Sequence, residues 1–345
     1  MPVGALVFLS LFVFLKVPNP HTPMLKGLKA IDWLGVVLVM GGALMFLMGL
    51  DFGNVTYPWS SPTVIALIVS GVVVIVLFVY NEWKLTRNPI VPLRLFNTVS
   101  TSAAFGVLSL NFFVFNGIAY YLPLYSQSVL GANALTAGIY LVPIIASTCL
   151  ASAFAAIMIQ KTGKYRVFMH VAQVLLTLGV GLLINLDLET NITDLVIYEI
   201  ITGLGTGLND EAPTIAALAG TSERDAAATI SLMSFLQNLG SVVSIVIGGV
   251  TFQNEMDAAG PNLKATLGEP LASQFSGARA ASNLGLINTL PADQQTVVRR
   301  AYFDSMKKVW IMVRKNIPNS GRAGQRLTLA TPSASMLLSP GLLRP

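Results

Sequence analysis

Long apolar runs separated by short polar connectors dominate the first 252 positions of the chain. The runs lack the strict apolar–polar alternation typical of membrane β-strands, so they predict helices rather than a transmembrane barrel. A helix needs about 20 residues to cross the hydrocarbon core. We therefore predict an all-α, polytopic membrane protein with about eight transmembrane helices. The predicted spans are residues 3–15, 32–50, 62–80, 99–122, 134–159, 167–186, 194–219 and 227–252.

Basic residues fall in every second connector. Ten Lys and Arg residues lie in the connectors that follow the first, third, fifth and seventh spans, whereas residues 51–61, 123–133 and 187–193 contain none. Cytoplasmic connectors are enriched in Lys and Arg. The basic connectors are therefore predicted to face the cytoplasm. The other connectors, which carry N-x-T sequons at Asn54 and Asn191, are predicted to face outward.

Composition restricts the possible classes of function. Of the 345 residues, 54% are hydrophobic and only 11% are charged, against roughly 25% in soluble domains. The net charge of +5 is spread over connectors instead of one face, which argues against nucleic-acid binding. With only two histidines and one cysteine the sequence predicts no histidine metal cluster, and no motif such as H-E-x-x-H is present. We predict no metal, no cofactor and no enzyme.

The pattern changes beyond Phe252. Residues 253–300 are polar, and residues 301–313 turn apolar but stop at Arg314 and Lys315. The tail, residues 314–345, is rich in Pro, Ser, Gly and Arg, a composition typical of disorder.

Five stretches stand out along the chain: PVGAL at the start, residues 120–145, TGKYRVF (162–168), ITGLGTGL (201–208) and residues 235–254. In this order they resemble the fourteen-helix drug:proton antiporters of the major facilitator superfamily. PVGAL at the start is similar to the opening of that family's sixth helix, and residues 120–145 are similar to its ninth-to-tenth helix stretch. TGKYRVF (162–168) resembles the next connector, ITGLGTGL (201–208) the glycine-rich twelfth helix, and residues 235–254 the thirteenth. The resemblance covers residues 2 to about 312.

The resemblance implies a partial major facilitator fold that begins at the sixth helix. On this basis the chain divides into the sixth helix with an inserted helix pair (1–81), an incomplete C-terminal bundle (82–252), a polar extramembrane segment with an aborted last helix (253–313), and a disordered tail (314–345). We expect a truncated copy that is inactive alone, because alternating access requires two bundles that move against each other.

Amide side chains within the spans are candidates for lining a substrate cavity, since exposing them to lipid is unfavourable. These candidates are Asn111, Asn116, Gln127 and Gln237. Hydrogen bonding between helices is the alternative role for such amides.

Two carboxylates in the seventh span, Asp210 and Glu211, are candidates for proton coupling, because a carboxylate in the membrane interior accepts a proton more readily than one in water. The alternative is a hydrated position at the membrane interface. Glu199, about one turn from the outer end of the same span, is expected at the interface.

A short basic turn connects the fifth and sixth spans and contains Lys161, Gly163, Lys164 and Arg166. It resembles a degenerate copy of the superfamily's cytoplasmic gating loop, whose charges pair across the two bundles in one state only. Ordinary retention of positive charge in the cytoplasm is the simpler interpretation.

Together these features predict a transporter that exports small organic molecules or drugs in exchange for protons. Its partners are expected to be those solutes, protons and lipid, and its location the plasma membrane rather than the vacuolar membrane. A siderophore-iron transporter of the same superfamily and a membrane bundle that transports nothing remain as alternatives.

Overall fold

The computed structural model describes residues 9–10, 31–53, 56–86, 89–91, 93–222 and 225–330. These residues form helices and turns without a β-strand, which confirms the all-α class. The helices are α1 (Trp33–Phe52), α2 (Pro62–Tyr80), α3 (Val99–Ala119), α4 (Tyr121–Ser128), α5 (Ala134–Tyr140), α6 (Val142–Thr162), α7 (Tyr165–Ile184), α8 (Ile192–Ala219), α9 (Ala226–Ala258), α10 (Gly260–Leu267), α11 (Glu269–Ala272), α12 (Ala278–Ser282), α13 (Leu284–Ile287) and α14 (Ala292–Ala330).

The predicted spans between residues 32 and 252 all coincide with helices. The described part of the chain contains six helical segments long and apolar enough to cross a membrane: α1, α2 with the π-helical turn Asn81–Leu85, α3 with α4, α5 with α6, α7, and α9. Helix α8 is long enough, but its four acidic residues lower its hydropathy. The first predicted span, residues 3–15, lies outside the described residues except for Leu9 and Ser10.

Helix ends follow local capping chemistry. The Asp32 carboxylate accepts a hydrogen bond of 2.9 Å from the Gly35 amide and begins α1. The Asn191 side chain accepts one of 3.3 Å from the Thr193 amide and begins α8. Gly163 ends α6 in the left-handed conformation, with a φ of 67°, which a residue without a Cβ adopts most easily.

Glycines bring helix backbones into direct contact. Between α1 and α2, a Cβ atom at Gly71 would lie 2.6 Å from the Phe46 backbone nitrogen. Between α7 and α8, one at Gly205 would lie 2.5 Å from the Leu176 nitrogen. Such close approach lets dispersion forces hold helices together in a solvent as apolar as their own side chains.

The buried core has two layers. One layer surrounds Tyr125, Phe252 and Trp310 near the predicted outer side. The other surrounds Phe105 and Met169 near the predicted cytoplasmic side. Both layers join α3, α7 and α9, so these helices form one bundle.

The last helix is longer than the aborted helix expected from the sequence, and residues 331–345 of the predicted tail lie outside the described residues. Helix α14 runs without interruption from Ala292 to Ala330. Apolar side chains at a spacing of three to four residues are buried along one side of it: Tyr302, Phe303, Met306, Val309, Trp310, Val313 and Ile317. The opposite side carries exposed Lys308, Arg314 and Lys315. The basic residues lower the average hydropathy but leave this apolar face intact, and packing against α3 stabilises it.

The polar segment after α9 is ordered and contributes to the core. Residues 260–287, which we call the outer cap, bury Leu263, Phe275 and Ile287. The Tyr302 hydroxyl of α14 donates a hydrogen bond of 2.7 Å to the Ala280 carbonyl oxygen of this cap. Three buried apolar side chains therefore anchor this polar segment to the bundle.

Ion pairs and hydrogen bonds join connectors that were predicted to share a side. Arg94, before α3, pairs with Asp225, before α9. At the opposite end, the Asp187 carboxylate lies 3.4 Å from the Arg300 guanidinium, and its backbone oxygen accepts a hydrogen bond of 3.0 Å from the Tyr125 hydroxyl.

Candidate functional site

Helix α8 occupies the centre of the candidate site because it packs closely on both α6 and α7. At Gly203 and Gly207 its backbone rests directly on α6: a Cβ atom at Gly203 would lie 2.6 Å from the Ile144 carbonyl oxygen. At Gly205 it approaches α7. The glycines thereby fix which side of α8 faces α6 and which faces α7. This rotation also determines which helix each polar residue after Gly207 faces.

The two proton-coupling candidates lie on the inner half of α8. Asp210 and Glu211 are both half-buried. The Ser152 hydroxyl of α6 donates a hydrogen bond of 3.3 Å to the Glu211 carboxylate. Both carboxylates are thus partly exposed, and Glu211 contacts the neighbouring helix α6.

The Asn111 amide of α3 contacts α8 about one turn before this carboxylate pair. It is buried and donates a hydrogen bond of 3.2 Å to the Thr206 carbonyl oxygen. Asn209 of α8 is also fully buried, and neither its side-chain oxygen nor its nitrogen has a hydrogen-bond partner among the described residues. Sequence reasoning missed Asn209, although an amide directly before two carboxylates in an apolar helix was a usable signal.

The Asn116 amide joins α3 to α9. It donates hydrogen bonds of 2.8 Å to the Ser241 hydroxyl and 3.0 Å to the Phe112 carbonyl oxygen. Half-buried Gln237 lies one turn before Ser241, and its backbone oxygen accepts a hydrogen bond of 2.9 Å from that hydroxyl. The geometry at Asn116 is that of interhelical hydrogen bonding, the alternative role that the sequence left open.

Gln127 is separate from the other amides. Its side chain donates a hydrogen bond of 3.3 Å to the Pro123 carbonyl oxygen. It lines a cavity of about 450 Å³ near the predicted outer side, between α1, α4 and α9. This outer cavity is also lined by Asp51, Tyr121 and Gln253, so it combines aromatic, amide and acidic groups. The structure therefore does not bring all four amide candidates together.

The basic turn between α6 and α7 is built around Gly163, whose amide donates a hydrogen bond of 2.8 Å to the Ile159 carbonyl oxygen. Lys161 and Lys164 are exposed, and Arg166 is half-buried in the first turn of α7. The turn therefore places two lysines where a partner surface could reach them.

Glu199 corrects the expectation of an interfacial residue. Its side chain is fully buried against the backbone of Ile144, with 0% exposure. Depth along the helix put it near the outer end, but the side of α8 on which it lies faces α6. Within the described ranges, no group of three His, Cys, Asp or Glu side chains is placed to hold a metal ion.

Comparison with known proteins identifies the fold family. A model of the Major Facilitator Superfamily matches residues 3–245, well over half of the chain. The chain belongs to this superfamily. It is an integral membrane protein, and its relatives are transporters rather than enzymes.

Two fungal relatives are similar over most of the chain. An efflux pump named dotC from Dothistroma septosporum is 41% identical over 312 residues, which cover 90% of this chain and 53% of the pump. An MFS-type transporter named ppz2 from Metarhizium majus is 38% identical over 312 residues, covering 90% and 54%. The chain therefore spans about half the length of these curated relatives.

A solved structure confirms the fold without adding a function. The inward-facing, occupied form of a bacterial homologue of the human lysosomal transporter Spinster superposes with a TM-score of 0.52 at 16% sequence identity. The match covers 86% of this chain and 67% of that one.

Proposed function

We propose that this chain serves in the export of small organic molecules coupled to proton entry, as a member of the fourteen-helix drug:proton branch of the superfamily. The carboxylates of Asp210 and Glu211 on α8 carry this proposal. They are half-buried within an apolar bundle, and one of them accepts a hydrogen bond from Ser152 on α6. A carboxylate in such a position can take up and release a proton as water reaches it from alternating sides.

The outer cavity supplies a second element of the proposal. Its aromatic walls suit the apolar part of an organic solute, while Gln127, Gln253 and Asp51 offer polar contacts. We propose it as a place where the solute rests near the outer side. The names of the similar fungal proteins, among them an efflux pump, support this direction of movement.

Transport can be tested in a chimera, because the chain spans about half the length of its relatives. The chain would replace the matching part of the Dothistroma pump and be expressed in a host without its own efflux pumps. Accumulation of a fluorescent amphipathic dye should fall, and more so at acidic external pH. Dye levels equal to those of the empty host, despite normal membrane levels of the chimera, would contradict the proposal.

Variants of the carboxylates test the coupling. Asp210→Asn or Glu211→Gln in the chimera should abolish the pH dependence of dye export without changing membrane levels. Asp194→Asn, at an exposed position on the same helix, is the matched control and should retain the wild-type pH dependence. Wild-type pH dependence in both of the first two variants would instead assign these carboxylates to a hydrated interface.

Orientation and membrane are part of the same proposal. With Cys149 replaced by Ala, single cysteines at Lys84 and Lys164 should react with an impermeant thiol reagent only after permeabilisation. Cysteines at Tyr57 and Ala132 should react in intact cells. A fluorescent fusion should mark the plasma membrane. Labelling of Lys164→Cys in intact cells would reverse the orientation.

A further inference from the structure

The Glu199 side chain lies in the contact between α6 and α8, which we call the α6–α8 seam (Ile144, Ser147 and Thr148 of α6 with Glu199, Gly203 and Gly207 of α8). Its exposure is 0%, and neither carboxyl oxygen makes a hydrogen bond of normal length and angle with the described residues. We propose that Glu199 is held in this seam as an uncharged carboxylic acid, and that its ionisation is coupled to opening of the seam. The proposal goes beyond the proposed function, because it does not require the chain to transport a solute.

Burial determines the charge of this group while the seam is closed. An ionised carboxylate away from water is strongly destabilised unless a cation or several donors compensate it. The backbone of Ile144 lies beside the Glu199 carboxyl, and among the described residues no Lys or Arg forms an ion pair with it. The neutral acid is therefore the form that fits the closed seam.

The neighbouring helices offer no compensating charge. No salt bridge to Glu199 is present within the described ranges. On α6 the sole charged residue is Lys161, which is about 25 Å from Ile144 along the helix axis. The other titratable groups on these helices are Tyr140 of α5, Cys149 of α6, Tyr165, Arg166 and His170 of α7, Asp194, Tyr198, Asp210 and Glu211 of α8, and Glu255 and Asp257 of α9, and α3 has none.

The packing around Glu199 explains why ionisation would open the seam. One turn further along α8, a Cβ atom at Gly203 would overlap the Ser147 hydroxyl and lie 2.6 Å from the Ile144 carbonyl oxygen. Backbone lies directly against backbone here, and Glu199 itself has no exposed surface. A charged Glu199 needs water, and water can enter only if this contact separates.

Proton linkage gives the expected size of the effect. The closed seam holds the proton and the open seam releases it, so raising the pH favours the open form. While the closed form stays neutral and the open form stays ionised, the open fraction should rise about tenfold for each pH unit.

Hydrogen exchange of the whole chain in detergent tests this coupling. The amides of residues 144–150 should exchange faster in the wild type than in Glu199→Gln. The ratio of the wild-type exchange rate to that of Glu199→Gln should grow about tenfold for each unit by which the pH rises. Taking the ratio at each pH removes the intrinsic pH dependence of exchange. Asp194→Asn, which changes an exposed carboxylate on the same helix, should match the wild type. A ratio that stays constant with pH would overturn the proposal.

A spectroscopic readout covers the case in which Glu199→Gln does not fold. Glu199→Met replaces the acid by an apolar side chain of similar length and serves as the second variant. The wild type should show an infrared carbonyl band of a protonated carboxyl at neutral pH that is lost in Glu199→Met and kept in Asp194→Asn. Identical carboxyl bands in the wild type and Glu199→Met would also overturn the proposal. Neither measurement depends on dye export by the chimera.

Discussion

The Asn116 amide on α3 donates a hydrogen bond of 2.8 Å to the Ser241 hydroxyl on α9. The two residues are 125 positions apart in the chain, and their contact ties the first and last helices of the segment 99–258. The Ser241 hydroxyl in turn donates a hydrogen bond to the Gln237 backbone oxygen. A polar chain therefore crosses from α3 into α9 within the apolar bundle.

A double-mutant cycle should measure this contact. Combining Asn116→Ala with Ser241→Ala should give a coupling free energy of about 0.5–1.5 kcal/mol in detergent-induced unfolding, because each side chain loses its partner in either single variant. Asn116→Ala combined with Thr251→Ala is the control, since the Thr251 hydroxyl donates a hydrogen bond of 2.8 Å to the Ile247 carbonyl oxygen of its own helix. Coupling in the control as large as in the test pair would disprove a direct interaction.

The close approach of α8 to α6 predicts opposite effects for two glycines. Gly203→Ala should lower the free energy of unfolding by about 1–3 kcal/mol, because the added methyl group meets the Ile144 carbonyl oxygen and the Ser147 hydroxyl. Gly181→Ala in α7, where no atom lies within 4 Å of the new Cβ, should be neutral or stabilise the helix by up to about 1 kcal/mol. Equal destabilisation by both substitutions would refute this packing.

Packing of α14 predicts a strong effect at Trp310. This side chain is fully buried, and its ring lies 5.6 Å from the Tyr125 ring in a T-shaped arrangement. Trp310→Ala should lower the free energy of unfolding by about 3–5 kcal/mol, whereas Lys308→Ala, on the exposed side, should change it by less than about 0.5 kcal/mol. A similar small effect of both would show that α14 does not pack on the bundle.

The stability of the α1–α2 pair should depend on pH through Asp32. Burial raises the pKa of Asp32, but hydrogen bonds from Gly35, Thr86 and Asn81 outweigh it and hold the pKa below its usual value. This stabilisation is present above the unfolded-state pKa of about 3.9 and is lost as pH falls through the folded-state pKa. Asp32→Ala should therefore destabilise the protein by about 1 kcal/mol at neutral pH, and the difference should shrink in acid.

Ser61 provides the control for that measurement. Its hydroxyl caps α2 by accepting a hydrogen bond from the Thr63 amide, and it carries no charge. Ser61→Ala should lower the unfolding free energy by an amount that does not vary between neutral and acidic pH. An Asp32→Ala effect that is equally independent of pH would contradict the role of the ionised carboxylate.

The sequence by itself determined the class of protein and the position of seven of the predicted helices. It also indicated which of the connectors between them lie at the same end of the bundle. Hydropathy is a local property that depends on which residues follow one another, so lengths of apolar sequence suffice to locate spans. Capping is local too, which is why Asp32, Asn191 and Gly163 stand at helix ends. The motifs likewise indicated the superfamily to which the chain belongs.

Only the tertiary structure decided which side of each helix is covered. Glu199 and Asp194 lie five residues apart on α8, yet one is fully buried and the other exposed, because α6 covers only one side of the helix. In α14, packing of one side against the bundle likewise buries Trp310 and leaves Lys308 exposed. A carboxylate or a basic residue contributes the same amount to average hydropathy whether it lies on the buried or the exposed side of its helix. Its environment depends on the neighbour that packs there, and that neighbour comes from a distant part of the chain.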